Sequence, residues 1–159
     1  MQECFLKKGA FAMTKKLATS VAEMVVQAKS RIKEVTAREA LGFYQDENVV
    51  IVDIRDVRER QKLGFIPGSF HAPRGMLEFW VDPQSPYFKE IFGQDKRFVL
   101  HCASGWRSAL SAETLLDMGF EVEHIADGFS GWLAAEAPVE MPAPRPPKDQ
   151  TKKTDDQDG

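Results

Sequence analysis

Cysteine is nearly absent from this chain, which carries Cys4 and Cys102 and no other. Two thiols cannot build a disulfide framework, and Cys4 precedes the apparent fold, so a reducing compartment, the cytoplasm, is expected. Histidine is equally sparse, and neither His71 nor His124 has metal-ligand companions at ligand spacing, so no metal site is expected. Charge of one sign is lacking too. The 21 basic and 24 acidic residues are interspersed and leave a net charge of −3, which gives no electrostatic footprint for nucleic acid or anionic lipid. No apolar run approaches the roughly 20 residues of a membrane helix, so no membrane partner is expected. The opening MQECFLKKGAFAM has a Lys pair but no apolar stretch of secretory length, so export is not expected, and Met13 is a second candidate start. There is no internal repeat. What remains is a chain of 159 residues, 43% hydrophobic, which is enough for one domain with a proper core.

Residues 1 to 17 read as a flexible leader. Residues 18 to 32, ATSVAEMVVQAKSRI, place Val21, Met24, Val25, Ala28 and Ile32 at helical spacing with basic residues toward the end. This amphipathic helix is expected to pack on the domain or on a second copy, making a homodimer. Thr36 and Glu39 form a capping box that starts a helix running to about Gln45. NVVIVDIR follows as a strand apolar on both faces, which suits the middle of a parallel sheet. DVRERQKLG predicts a short helix ended by Gly64, and FIPGSFHAPRG a turn at Pro67-Gly68 leading to a short extended piece. Residues 76 to 92 are rich in aromatics (Phe79, Trp80, Tyr87, Phe88, Phe92) and read as two short helices broken at Asp82-Pro83. They form core or one rim of a pocket. RFVLHC is a second strand, RSALSAETLLDMG a helix capped by Gly119, FEVEHI a third strand and GFSGWLAAE a last helix. The alternation predicts an α/β domain over residues 33 to 137 with a mostly parallel sheet, whose ligands sit beyond the carboxyl ends of the strands. From 138 to 159 Pro, Lys and Asp dominate, and a disordered tail is expected.

Cys102 ends a buried strand a few residues before a helix. The intervening ASGWR can curl so that successive N–H groups and the first helical turn point at the sulfur, a nest that lowers a thiol pKa and yields a nucleophilic thiolate. Gly105 supplies the positive φ that so tight a loop requires.

Several separated motifs now share one likeness. VDIRD at 52 to 56, GFIPGSFHAP at 64 to 73, HCASGWRSA around Cys102 and IADGFSGW ending at Trp132 together resemble the single-domain rhodaneses, a family of sulfurtransferases, over residues 33 to 136. The resemblance implies a rhodanese-like three-layer α/β/α fold and a mechanism with no cofactor. Cys102 takes sulfane sulfur from a thiosulfate-like or persulfide donor, holds it as a persulfide, and passes it to a thiol, cyanide or protein acceptor. Two readings of other kinds stand beside it. One is a non-catalytic rhodanese-like module that docks or regulates a partner. The other is a cysteine-dependent phosphatase or arsenate reductase on the same fold, for which the resemblance would predict one residue more between Cys and Arg. Only four stand between Cys102 and Arg107 here. A shorter loop makes a tighter cradle, suited to one sulfur rather than to a tetrahedral oxyanion. A phosphatase would also need an acid for its leaving group, for which Asp56 and Glu59 are the candidates.

The supporting residues carry alternatives. Ala103, Ser104, Gly105, Trp106, Arg107 and Ser108 make up the loop. Arg107 either binds an anionic donor or reaches back to Asp53, and the resemblance favours the Asp53 pair. Arg55 and Arg58 lie near the strand end and can lend positive potential to the donor, although Arg58 is as readily a solvated helix charge. Trp106 reads as a pocket wall, and Ser104 and Ser108 as donors to sulfur or as loop closers. His101 should point away from Cys102 by strand alternation, and His71 and His124 read as structural. The sequence departs from the family at Phe65, where a His is usual, and at Asp127, where a first Gly is common.

Overall fold

The computed structural model describes residues 14–147; Cys4, Met13, most of the leader 1 to 17 and the tail from 148 onward lie outside it. In chain order the elements are α1 (Val21–Arg31), β1 (Lys33–Val35), α2 (Ala37–Leu41), β2 (Val49–Asp53), α3 (Val57–Leu63), β3 (Phe70–His71), α4 (Leu77–Val81), β4 (Arg97–His101), α5 (Trp106–Asp117), β5 (Glu123–Ile125) and α6 (Gly128–Ala134). Single 3-10 turns fill Arg74–Met76 and Glu90–Gly93, so the second short helix expected after Asp82-Pro83 is of that tighter kind.

The five strands form one sheet in the order β1-β5-β4-β2-β3, every pair parallel. Because successive side chains alternate between faces, each central strand feeds two cores. Val50, Val52, Leu100 and Cys102 join Leu77 and Val81 of α4 and Ala112 and Leu115 of α5 on one side. Ile51, Val99 and Ile125 join Ala37 and Ala40 of α2 and Phe129 and Trp132 of α6 on the other. This is the α/β/α sandwich, and most of the aromatic stretch serves it: Phe92 packs against Phe70, Phe98 and Phe120. Phe79 and Tyr87 instead pair edge to face at the surface.

Helices begin where side chains satisfy their first N–H groups. Ser20, Thr36 and Asp56 each accept from the backbone three or two residues on, and Glu23, Glu39 and Glu59 return the bond to the cap backbone. The capping box at Thr36 yields a shorter helix than its pattern suggests, ending at Leu41 and giving way to turns through Gln45. α1 lies on α5 of its own chain, with Val25 and Ala28 packed against Ala109 and Arg31 paired with Glu113 and Asp117. Val21, Met24 and Val26 remain exposed on it.

Two features depart from the expected arrangement. β1, sequence KEV, has no apolar run to announce it and exists because Lys33, Glu34 and Val35 pair in register with Glu123, His124 and Ile125. The tail is held further than its composition implies. Pro138 O accepts from the Trp132 indole N–H at 2.7 Å, and Glu140 exchanges both backbone hydrogen bonds with Phe65. The buried Trp132 and the half-buried Phe65 thus make contacts with Pro138 and Glu140 that the composition does not announce. Among the described residues no helix is long and apolar enough to cross a membrane.

Candidate active site

β4 delivers Cys102 to the carboxyl edge of the sheet, and the chain enters α5 within four residues. Gly105 is the N-cap, at φ 98°, and a Cβ there would fall on the carbonyl oxygen of Ala126, so no other residue fits this turn. The turn brings the Gly105 N–H to 3.2 Å and the Ser108 N–H to 3.4 Å from Cys102 Sγ, while the thiol lies 3.5 Å from Ser108 Oγ. The outer side of the loop is fixed by α6. Phe129 N–H donates to Cys102 O at 2.8 Å and Ser130 N–H to Ala103 O at 3.0 Å. These bonds turn the loop carbonyls away from the sulfur and leave its N–H groups inward. The approach is close enough that a Cβ on Gly128, at φ 60°, would stand 2.5 Å from Ala103 O.

The electrostatic outcome is a net lowering of the Cys102 pKa. Burial pushes the thiol up, but the Ser108 hydroxyl and the backbone N–H groups of Ser108, Gly105 and Ser104 outweigh it. The start of a 12-residue helix adds the positive end of its dipole at the same place. The sulfur sits at the bottom of this loop, with Cys102 1% exposed, while Ser104 and Trp106 are exposed at its mouth.

A chain built this way can be set against known proteins. Residues 36–135 match the family described as Rhodanese-like domain. The chain belongs to the rhodanese-like family. The mouse thiosulfate sulfurtransferase/rhodanese-like domain-containing protein 3 is 30% identical over 110 residues, covering 65% of this chain and 70% of the relative. The thiosulfate sulfurtransferase GlpE of Glaesserella parasuis is 29% identical over 109 residues, covering 68% of this chain and 93% of GlpE. Among solved structures, a Rhodopseudomonas palustris protein of unknown function, described as a possible tyrosine phosphatase, superposes with a TM-score of 0.77 at 49% identity, over 80% of this chain and 99% of its own. The polysulfide-sulfur transferase homodimer of Wolinella succinogenes does so at 0.59 and 25% identity, over 75% and 85%. The named relatives place the chain in a rhodanese-type sulfurtransferase family.

Within this rhodanese-like domain the loop residues 102 to 108 come together as one unit, but the arginines take other places than expected. Arg107 does not pair with Asp53. It makes a bidentate ion pair with Glu59 of α3 at 2.8 and 2.9 Å, which raises the Arg107 pKa and lowers that of Glu59. The physical reason is strand parity. Asp53 stands opposite His101 in the register, on the face covered by α6, whereas Cys102 and α5 belong to the other face. There Asp53 is fully buried and accepts from Arg55 Nε and Nη2 at 3.0 and 2.9 Å and from Arg60 Nη1 at 2.8 Å.

Arg55 is consequently committed to Asp53 rather than presented at the mouth of the loop. It is fully buried, gives a further bond to Gly64 O, and lies 4.1 Å over the Phe129 ring. Arg58 is a solvated helix charge that folds back on Asp56 at 2.9 Å. His101 points away from Cys102 and stacks on Phe129, and His71 lies 2.8 Å from the Arg55 carbonyl. The two departures from the family are absorbed. Phe65 carries the Arg60 guanidinium 4.2 Å above its ring, and Asp127 sits at φ −95°, where no glycine is needed, accepting from the Ala37 N–H. His124, read as structural, lies 2.8 Å from Ser108 Oγ. No pattern in the sequence signals that contact, because the two residues meet only once β5 lies beside α5.

Proposed function

We propose that this chain is a sulfurtransferase that works through a persulfide on Cys102. The observation that carries the reading is the inward ring of donors around one sulfur, from Gly105, Ser108 and Ser104, which favours an anion at that point. The Cys102 thiolate attacks the outer sulfur of a thiosulfate-like donor. A new S–S bond forms as the donor's S–S bond breaks, sulfite leaves with its electron pair, and Cys102 retains Cys–S–S⁻. Cyanide or a small or protein-borne thiolate then attacks the terminal sulfur and restores the Cys102 thiolate. No cofactor enters, and the cytoplasm keeps Cys102 reduced between turnovers.

A phosphatase reading draws on the likeness to the palustris protein, itself described only as a possible tyrosine phosphatase. It asks for a protonated acid beside the loop. The two candidates are committed elsewhere: Asp56 is lowered to about 2 by Arg58, and Glu59 is lowered by its Arg107 pair. Both are ionised at neutral pH and hold no proton to give a leaving alkoxide.

Intact-mass spectrometry after incubation with thiosulfate tests the proposal. The wild type should gain one sulfur that dithiothreitol or cyanide removes, and Cys102→Ser should gain none. A wild type that takes up no labile sulfur sinks the sulfurtransferase reading, and Cys102-dependent turnover of a phosphate ester would put the phosphatase in its place.

A further inference from the structure

The sheet register puts two titratable side chains beneath α5. Glu34 of β1 stands opposite His124 of β5, which in turn stands opposite Leu100 of β4, two residues before Cys102. Neighbours in register share a face, and the face of Leu100 and Cys102 is the one α5 covers. Ser108, in the first turn of α5, closes the line. Cys102 Sγ lies 3.5 Å from Ser108 Oγ, Ser108 Oγ 2.8 Å from His124 Nδ1, and His124 Nε2 2.8 Å from Glu34 Oε2. Ser108 and His124 are fully buried, whereas the Glu34 side chain is 32% exposed and has Lys29 Nζ at 3.6 Å. The line therefore runs from a sealed sulfur to solvent.

We propose that Ser108, His124 and Glu34 form a proton relay that takes the thiol proton from Cys102 and carries it toward the surface. This rests on the reading of Cys102 as a nucleophile. The chemistry of the partners fixes the direction of every bond. A carboxylate only accepts, so His124 Nε2–H donates to Glu34, and Nδ1 of the neutral ring is left to accept the Ser108 hydroxyl proton. Burial lowers the His124 pKa more than Glu34 raises it, so the ring is free to accept. When the S–H bond breaks, its proton forms a new bond to Ser108 Oγ, and the former Oγ–H proton passes to Nδ1. The products are thiolate and imidazolium. The serine is again a hydroxyl, now donating to the thiolate; the imidazolium then gives its Nε2–H proton to the partly exposed Glu34 carboxylate, which loses it to water, and rotation of the neutral ring restores the Nε2–H tautomer.

The charged groups that act on His124 are Glu34 from β1 and Lys29 from α1, while α5 presents the neutral Ser108. A thiol acceptor gives the relay recurrent work. When the acceptor arrives as a neutral thiol rather than as a thiolate, transfer of sulfur from Cys–S–S⁻ to R–SH yields R–S–S⁻ and Cys102–SH, so one proton must leave the buried sulfur in that turnover, whereas a thiolate acceptor restores the Cys102 thiolate directly. Cyanide as acceptor brings no proton and makes no such demand. Ser108, which touches the reacting sulfur, is thus a catalytic residue, and His124 and Glu34 act through it.

The test is the pH dependence of Cys102 alkylation by iodoacetamide on the full chain carrying Cys4→Ser. Ser108→Ala and His124→Asn should each move the midpoint upward, slowing alkylation near neutral pH about tenfold per unit moved. The double variant should match Ser108→Ala alone, because a chain already severed at the serine cannot transmit the histidine's effect. Glu34→Gln alters a partly exposed side chain and leaves hydroxyl and ring in place, so it serves if the buried variants do not fold. It should move the midpoint the same way by a smaller amount. Midpoints unchanged in folded variants, or a double variant equal to the sum of the singles, would overturn the relay. Alkylation needs no sulfur donor, so shifted midpoints with no persulfide sink the proposed function alone, and persulfide with unshifted midpoints sinks the relay alone.

Discussion

Two charge-rich clusters stand at the same edge of the sheet, one on each face. On the α5 side, Cys102 is ringed by N–H groups, and its line of contacts through Ser108 and His124 ends at a carboxylate partly open to water. On the α6 side, Asp53, Arg55 and Arg60 neutralise one another out of solvent, and burial, which would raise Asp53, is overridden by hydrogen bonds and charge from Arg55 that hold its carboxyl well below the ordinary range. The first cluster holds a group whose proton can come and go. The second holds permanent charges with fixed partners. Asp53 and His101 are partners in register and Cys102 is the next residue, so one step along a strand separates scaffold from chemistry.

Asp53→Asn should give the largest effect on the scaffold side. It leaves Arg55 buried without its counter-ion, a loss of about 3–5 kcal/mol by the usual cost of breaking a buried pair, measurable by urea denaturation. The alkylation midpoint of Cys102 in the molecules that remain folded should stay near that of the wild type. Because the folded Asp53 pKa is depressed, its stabilisation is present above the ordinary aspartate value of 3.8 and is lost as pH falls below that value. Gly105→Ala should invert the pattern. Left-handed strain costs about 1–3 kcal/mol, and relief of the clash with Ala126 O displaces the N–H donors, so sulfur loading should fall far more than stability. Equal losses in both would mean that the loop is merely structural. Arg58→Ala, on an 84% exposed side chain paired, among the described residues, with its helix cap, should leave melting temperature and sulfur loading unchanged.

The loop end of the first cluster was legible; its far end at His124 and Glu34, and the pairings of the second cluster, were not. The thiol, its glycine and the helix start lie within a few consecutive residues, so local spacing is enough to recognise the loop, although α6 fixes its outer side. The partner of Arg107 was misread because side-chain parity and the position of α3 decide it, and Glu59 lies 48 residues away in sequence. β1 and His124 were invisible in their roles for a related reason. A three-residue strand with two charged members has no pattern of its own, and Glu34 meets His124 only across a register that the whole sheet defines. Composition is silent on the contact at Pro138, because proline marks a lack of helix and strand propensity but says nothing of a tryptophan N–H waiting for a carbonyl.

The bonds from Phe129 and Ser130 to the loop carbonyls also set an order of assembly. The segment that turns those carbonyls outward is made more than 20 residues after Cys102, at the very end of the domain. A chain broken before α6 lacks both of these bonds. On the proposed reading of Cys102, the nucleophile and the completed fold would then arrive together.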